Sequence, residues 1–207
     1  LTGGCLLDRI VEATASPREC ESVRCMLMAA TRCAERAPAL VTGHSRGVET
    51  LIQLAGRPGG LWRQSARVLT LASAPPSNPI AMPGGIAAVC KLVVEGGTKD
   101  LKLEALFSLP NMCRGRDGAL EALRCIGIQN IITLATPLRV PAVAAGVLDI
   151  ISAAAQEPYT ESQAELLDVD AGLLQTLMCP GGDVMRLAER LRTCKKCLNT
   201  AVARVVK

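Results

Sequence analysis

Apolar and polar positions recur with a helical period along most of the chain. Apolar residues follow one another at spacings of three and four, as at Val147, Leu148 and Ile151. Glycine and proline clusters interrupt these segments, for example at 57–60 and 180–182. Such residues end helices because proline lacks an amide donor and glycine accepts a positive φ. The pattern therefore predicts an all-α chain built from many helices.

The helical segments repeat along the chain. Segments that begin at Gly47, Gly85 and Gly127 carry apolar residues at the same offsets from the glycine, and looser copies begin at Leu6 and Gly172. Successive starts are separated by 38 to 45 residues. This is the period of armadillo and HEAT repeats.

Each copy continues in the same order, with a Pro or Gly break followed by a second, longer helical segment. The predicted core positions of these longer helices are Val23, Met26, Leu27 and Ala30; Ser65, Val68, Leu69 and Ala72; Leu103, Leu106 and Phe107; Ala144, Val147, Leu148 and Ile151; and Leu191, Cys194 and Leu198. Shorter stretches between the copies, such as 117–125 and 161–169, can hold a third, small helix.

This order of short, middle and long helices resembles the armadillo repeat family, with a HEAT-like α-solenoid as the second choice. The resemblance implies a right-handed α-solenoid of about five armadillo-like repeats that forms a single domain over residues 1–207. A stack of this kind is consistent with the pattern, because one unit cannot cover its own apolar face and its neighbours must do so. The resemblance also implies a protein-binding scaffold.

In armadillo proteins a ladder of Trp and Asn, four residues apart on the long third helices, holds an extended peptide in a concave groove. The helix register places this ladder at Cys25 and Ala29, Arg67 and Leu71, Ala105 and Leu109, Gly146 and Ile150, and Thr193 and Cys197. None of these residues is Trp or Asn, so the backbone clamp has no amide to form it. An apolar wall would suit an amphipathic helix or a permanently packed partner. Alternatively, the register is shifted by one residue and these positions belong to the core between repeats.

The candidate partner-binding residues in the groove are Trp62, Arg63, Arg67, Leu71, Lys102, Leu109, Ile150, Arg186 and Arg190. Trp62 is either an interface anchor or a plug at a helix junction. The basic members could form a stripe that faces an acidic partner, or an ordinary solvated helix surface, since acidic residues such as Asp100 and Glu104 lie among them.

Composition narrows the class of partner. Only Trp62, Phe107 and Tyr159 are aromatic, and the net charge is +4. So few aromatic residues make a β-sandwich a poor fit to this composition. They also leave no platform for base stacking, and a net charge of +4 provides no dense basic face, so we expect no nucleic-acid partner. Because no run of about 18 apolar residues occurs, we also expect no membrane insertion.

Ten cysteines, mostly in apolar helical segments, predict buried thiols in a reducing intracellular compartment. The cytoplasm is the default; an organelle or a cytoskeletal or ciliary assembly fits equally. Since the sequence begins at Leu1 rather than Met, it is compatible with a portion of a longer protein. Neither end carries a polar cap, so we expect further chain or a neighbouring subunit to cover at least one end.

The segment Gly43 to Gly47 matches the G-x-S-x-G pattern of a hydrolase nucleophile elbow around Ser45. A hydrolase needs a histidine elsewhere to take the serine proton, yet His44 is the only histidine. A serine hydrolase is therefore the disfavoured alternative of another class. We expect no catalytic residue.

Other motifs give no site. Cys194 and Cys197 form a CxxC, but it lies inside a helix and has no companion pair, so we expect no metal site. The Gly-Gly pairs never extend into a phosphate-binding motif, so we expect no cofactor and no small-molecule substrate. The sequence thus predicts a non-catalytic protein-binding scaffold, a structural subunit of a multiprotein assembly. The alternative is a soluble adaptor that captures an acidic or helical segment.

Overall fold

The computed structural model describes residues 3–14, 20–57, 59–74, 84–156, 171–178 and 184–205. In these ranges the regular structure is helical throughout, and no strand occurs. The chain divides into two compact units, Leu1–Met112 and Cys113–Lys207, which we call unit 1 and unit 2. The predicted all-α class is confirmed, whereas a single domain over 1–207 and a right-handed superhelix stay predictions.

Unit 1 contains the helices α1 (Gly3–Thr14), α2 (Cys20–Arg36), α3 (Pro38–Thr42), α4 (Ser45–Gly56), α5 (Trp62–Ala72), α6 (Gly85–Glu95) and α7 (Lys99–Met112). Helix α4 packs between α1 and α6, and α5 packs between α2 and α7. We call α1, α4 and α6 the second-helix layer, and α2, α5 and α7 the third-helix layer. Each helix of one layer also packs on its sequence neighbour in the other layer.

Unit 2 contains α8 (Arg116–Ile126), α9 (Ile128–Ala135), a 3₁₀ turn (Thr136–Leu138), α10 (Pro141–Ala154), α11 (Ala171–Gln175) and α12 (Val184–Val205). Helix α9 packs on α11 and α10 packs on α12, so the two-layer arrangement of unit 1 recurs. The small helix α8 packs on α9 and α10. The last of these three helices, α10, is the longest, with 14 residues against 11 in α8 and 8 in α9.

The predicted repeat starts correspond to helix starts. Helices α6 and α9 begin at Gly85 and just after Gly127, and α4 begins two residues before Gly47. The small helix expected at 117–125 is α8, whereas 161–169 lies outside the described residues. Helix α3 is a further small helix between two copies. The helix order is therefore confirmed wherever the structure describes it.

Glycines mark the repeat starts for different physical reasons. Gly127 precedes α9 with φ of 83°, a conformation that glycine adopts without strain. Gly47 lies inside α4, where a Cβ atom would be 2.8 Å from the Cβ of Leu7 on α1. Glycine at this position thus allows two helices of the second-helix layer to approach closely.

Most predicted core positions are buried. All four positions predicted on α5 and on α10 are buried, and the hydroxyl of Ser65 donates to the carbonyl oxygen of Leu61. Phe107 is an error, since it is 41% exposed. The core of α7 runs through Ala105, Leu106 and Leu109 instead, so the outward face of this helix includes Phe107.

Candidate partner-binding surface

The resemblance noted from the sequence predicts a partner on the outward side of the long helices, which in unit 1 is the outward side of the third-helix layer. We call it the third-helix face. We define it by these exposed or half-buried residues: Arg24, Met28, Arg32 and Glu35 on α2, Arg63, Arg67 and Leu71 on α5, and Leu103, Glu104 and Phe107 on α7. Their spacing of three or four residues keeps them on one side of each helix.

Arg67, a predicted site residue, ties the three helices of this face together. Its guanidinium donates to both carboxylate oxygens of Glu104 on α7, at 2.8 Å each, and lies 4.0 Å from the carboxylate of Glu35 on α2. Hydrogen bonding to Glu104 raises the pKa of Arg67 above its ordinary value, and burial opposes this shift. Arg67 therefore links the third helices of neighbouring repeats, while its side chain stays 36% exposed.

Trp62 and Arg63 belong to a junction between repeats. Trp62 is half-buried at the start of α5, with the Arg63 guanidinium 5.3 Å and the Lys91 ammonium 4.7 Å from its ring centroid. Arg63 also donates to the carbonyl oxygen of Glu95, and Lys91 donates to that of Ala55. Cations at helix C-termini interact favourably with the helix dipole. The geometry favours the junction plug over the interface anchor.

The register predicted for the groove is wrong at two positions. Leu109 has no exposed surface and Ile150 is 1% exposed, so neither can contact a partner on this surface. The burial pattern of α10 matches that of α5 when Ile150 is aligned with Ala72, which shows that the ladder was placed one residue too far along α10. Leu109 and Ile150 therefore belong to the core, which is the alternative noted from the sequence.

Because Leu109 is buried and Phe107 is exposed, the outward side of α7 passes through Phe107. Asn111 follows Phe107 by four residues, the spacing of the aromatic and asparagine ladder. Phe107 points outward, whereas Asn111 is 7% exposed and donates from Nδ2 to the carbonyl oxygen of Ser73 at 2.7 Å. Asn111 thus joins two repeats. The sequence signal for this pair is the spacing between an aromatic residue and an asparagine on a third helix, which the wrong register concealed.

The other predicted residues of unit 1 lie at the margin of this surface. Leu71 is half-buried on α5, and Lys102 is half-buried near the start of α7. Met28 and Phe107, which the candidate set omits, are the large apolar side chains left exposed on the third-helix face, at 49% and 41%. Phe107 was missed because the apolar periodicity assigned it to the core, whereas Met28 was assigned neither to the core nor to the groove.

In unit 2 the third helices carry an open cavity of about 310 Å³ lined by Asp149, Ser152, Glu189, Arg190 and Thr193. The predicted residue Arg190 forms an ion pair with Asp149 and donates to the carbonyl oxygen of Ala145 at 3.4 Å. Arg190 therefore joins α12 to α10, as Arg67 joins α5 to α7. The side chain of Arg186 lies outside the described residues.

The environment of Ser45 is that of a helix start. His44 is the N-cap of α4: its Nδ1 accepts from the backbone N–H of Gly47 at 2.9 Å. Its Nε2 therefore carries the proton and lies 2.9 Å from a carboxylate oxygen of Asp8 on α1. Both ring nitrogens are engaged, and neither faces Ser45 as a general base.

The thiols divide by burial. Cys90, Cys113 and Cys194 are buried, whereas Cys25 and Cys125 are exposed. The prediction of buried thiols is therefore correct for the first three and wrong for Cys25 and Cys125. Burial raises the pKa of Cys113 to about 12, with smaller effects of Glu121 and Cys125.

Within the described ranges, no group of three or more His, Cys, Asp or Glu residues is arranged to hold a metal ion. The described helices also include none that is both long and apolar enough to span a membrane.

Comparison of the sequence with protein-family models and with curated proteins gives no match. Among solved structures, the chain is similar to the designed armadillo repeat protein YIII(Dq.V1)4CPAF in complex with peptide (KR)4, with 12% identity and a TM-score of 0.47. It is also similar to the designed armadillo repeat protein YIII(Dq)4CqI, with 12% identity and a TM-score of 0.49. Each alignment covers 93% of this chain and 99% of the other. The assignment of helical repeats stands on the helix order and packing of this chain itself.

Proposed function

We propose that this chain is a non-catalytic protein-binding scaffold whose partner docks on the third-helix face of unit 1. The observation that carries the proposal is the exposure of Met28 and Phe107, at 49% and 41%, on stacked helices whose other large apolar side chains are mostly buried. Aromatic and methionine side chains are enriched at protein interfaces, where burying them removes apolar surface from water.

The rigidity of this surface supports the proposal. Arg67 bridges α5 to α7 and lies 4.0 Å from Glu35 on α2, so the side chains around the exposed apolar residues are partly ordered before a partner binds. Preorganisation of this kind increases affinity because less conformational entropy is lost. A scaffold function needs such a surface and needs no reactive group.

The geometry around Ser45 also favours a scaffold over an enzyme. The histidine that a hydrolase would require is engaged as a helix cap and with Asp8. Replacing Ser45 by Ala should therefore leave partner binding unchanged, and the wild-type chain should not react with a fluorophosphonate probe. Labelling that disappears in Ser45→Ala would contradict the non-catalytic proposal.

We further propose that the partner is a lasting neighbour in a larger assembly. On the third helices of unit 1, Cys25, Ala29 and Leu71 offer no amide to clamp an exchanging peptide backbone, and the amide of Asn111 is buried and bound to the carbonyl oxygen of Ser73. Contact through Met28 and Phe107 would depend on buried apolar area, which is typical of permanent interfaces.

The proposed binding surface is tested by substituting two exposed apolar residues, one in each helix layer. Phe107 and Val94 are similarly exposed, at 41% and 46%, but Val94 lies on α6 in the second-helix layer. Affinity capture from the native source, with quantitative mass spectrometry, should recover a partner with wild type and Val94→Ala that is lost with Phe107→Ala. Equal recovery with both variants would show that the third-helix face is not the binding surface.

A further inference from the structure

Three arginines and one methionine form a row along α2, and three of these four residues belong to the third-helix face. Arg24, Met28, Arg32 and Arg36 are spaced four residues apart, and all four side chains are exposed. Arg24 and Arg32 are separated by two helical turns, about 12 Å along the axis, with Met28 midway between them. We call these four residues the arginine row.

The three guanidinium groups of this row are unpaired among the described residues. None of them takes part in a side-chain hydrogen bond or an ion pair there, although Glu35 precedes Arg36 and lies one turn beyond Arg32. The Glu35 carboxylate is instead directed towards Arg67 on α5. The two acidic residues of α2 are Glu21, one turn before Arg24, and Glu35, whose carboxylate is directed towards another helix.

The charge of unit 1 is unevenly divided between its two layers. Helices α2, α5 and α7 carry seven basic and four acidic residues. Helices α1, α4 and α6 carry three basic and four acidic residues. The third-helix layer therefore has three more basic than acidic residues, and the arginine row supplies three of its seven basic residues. An acidic partner is complementary to this surface.

We infer that the arginine row binds an acidic amphipathic helix of a protein partner, an inference that rests on the proposed function. The partner helix carries carboxylates that match Arg24, Arg32 and Arg36 and one apolar side chain that covers Met28. A carboxylate can accept two hydrogen bonds from one guanidinium, so arginine at each charged position suits this recognition. A helix that crosses α2 at about −50° can place its own row of residues four apart along the arginine row.

The experiment uses the full chain and a fluorescein-labelled synthetic helix of Ala and Gln that carries Glu, Leu, Glu and Glu at positions i, i+4, i+8 and i+12. A peptide of the same composition, with these four residues distributed around the helix, is the control ligand. Fluorescence anisotropy at low and high salt should show tighter binding of the first peptide, weakened by salt because the contacts are exposed ion pairs.

Replacing the three arginines of the row by glutamine should weaken binding about tenfold or more, from the sum of three exposed ion pairs. The matched control is the triple variant Arg46→Gln, Arg57→Gln and Arg124→Gln, which removes three exposed arginines elsewhere and the same total charge. It should bind within about twofold of wild type.

The apolar contact has its own test. Met28→Ala should weaken binding by about threefold or more, whereas Met28→Leu should retain it, because leucine conserves the buried area. Circular dichroism spectra of all variants should match the wild type, since the changed side chains are exposed.

Equal weakening by both triple variants, or equal affinity for both peptides, would overturn the inference. Phosphatidylserine vesicles or single-stranded oligodeoxythymidylate that bind more tightly than the peptide, with the same dependence on the row, would also overturn it. If the peptide fails while capture of a native partner still depends on Phe107, the proposed function stands and only the acidic helix is rejected.

Discussion

Units 1 and 2 pack their third helices in the same way but join them with differently arranged ion pairs. In unit 1 the arginine, Arg67, lies on the earlier helix and binds Glu104 on the later one. In unit 2 the carboxylate, Asp149, lies on the earlier helix and binds Arg190 on the later one. The repeat therefore specifies apolar layers, while each interface between repeats has acquired its own polar contacts.

The two surfaces differ accordingly. Unit 1 presents exposed Met28 and Phe107 beside arginines, whereas unit 2 presents an open cavity lined by charged and hydroxyl side chains. An apolar surface with nearby charge suits a protein interface better than a small polar cavity. For this reason the proposed binding function is assigned to unit 1.

The largest expected effect is the loss of stability caused by a core substitution, and it tests whether the two units unfold independently. Leu92→Ala in unit 1 and Leu148→Ala in unit 2 each remove a side chain that is at most 1% exposed, and each should lower the free energy of unfolding by about 2–5 kcal/mol. Trp62, the only tryptophan, reports on unit 1. In urea titrations, Leu92→Ala should shift the fluorescence transition, and Leu148→Ala should shift only the circular dichroism signal of unit 2. A fluorescence shift of equal size with both variants would show that the units unfold together.

A smaller effect compares the glycines at the repeat starts. Gly47→Ala should destabilise unit 1 by about 1–3 kcal/mol, because the new methyl group would be 2.8 Å from the Cβ of Leu7. Gly127→Ala should cost about 1–3 kcal/mol in unit 2 through backbone strain at φ of 83° and ψ of 141°, without a clash. The control, Gly56→Ala at the end of α4, meets no atom within 4 Å and should be neutral or slightly stabilising. A Gly47→Ala variant as stable as the control would mean that α1 and α4 need no close approach.

The two ion pairs should differ in strength. Arg67→Gln should lower stability by about 0.5–1 kcal/mol, because the pair with Glu104 is bidentate and partly buried. Arg190→Gln should have a smaller effect, since Asp149 is 54% exposed. Double-mutant cycles with Glu104→Gln and Asp149→Asn, measured at low and high salt, would quantify each coupling. A stronger coupling in unit 2 would reverse this order.

The smallest expected effect is a difference in reactivity between the exposed and the buried cysteines of each unit. At pH 8.5 iodoacetamide should modify exposed Cys25 and Cys125 before buried Cys90 and Cys113. The pKa of Cys113, about 12, keeps its thiol protonated at this pH, and only the thiolate reacts. Peptide mapping by mass spectrometry would follow each site, and in urea Cys113 should react because its pKa returns towards about 8.5. Rapid modification of native Cys113 would contradict its burial.

The sequence predicted much of the fold and little of the site. Helix boundaries and the repeat period followed from apolar spacing and from breaks such as those after α4 and α6, because these depend on local backbone preferences. Arg67 and Arg190 were correctly placed on the third helices, but their ion pairs join residues 37 and 41 positions apart. Such pairs form only when neighbouring repeats stack.

By itself, the sequence determined that this chain is all-α and repeats about every forty residues, because turn residues and apolar periodicity act locally. Tertiary structure decided which side of each long helix is exposed. Helix α10 is apolar on most of its circumference, so only its packing on α8, α9 and α12 buries Ile150 and leaves Asp149 exposed. In the same way, the packing of α7 on α5 and α6 buries Leu109 and leaves Phe107 exposed. The coverage of an apolar helix depends on its neighbours in space, which periodicity along one helix does not specify.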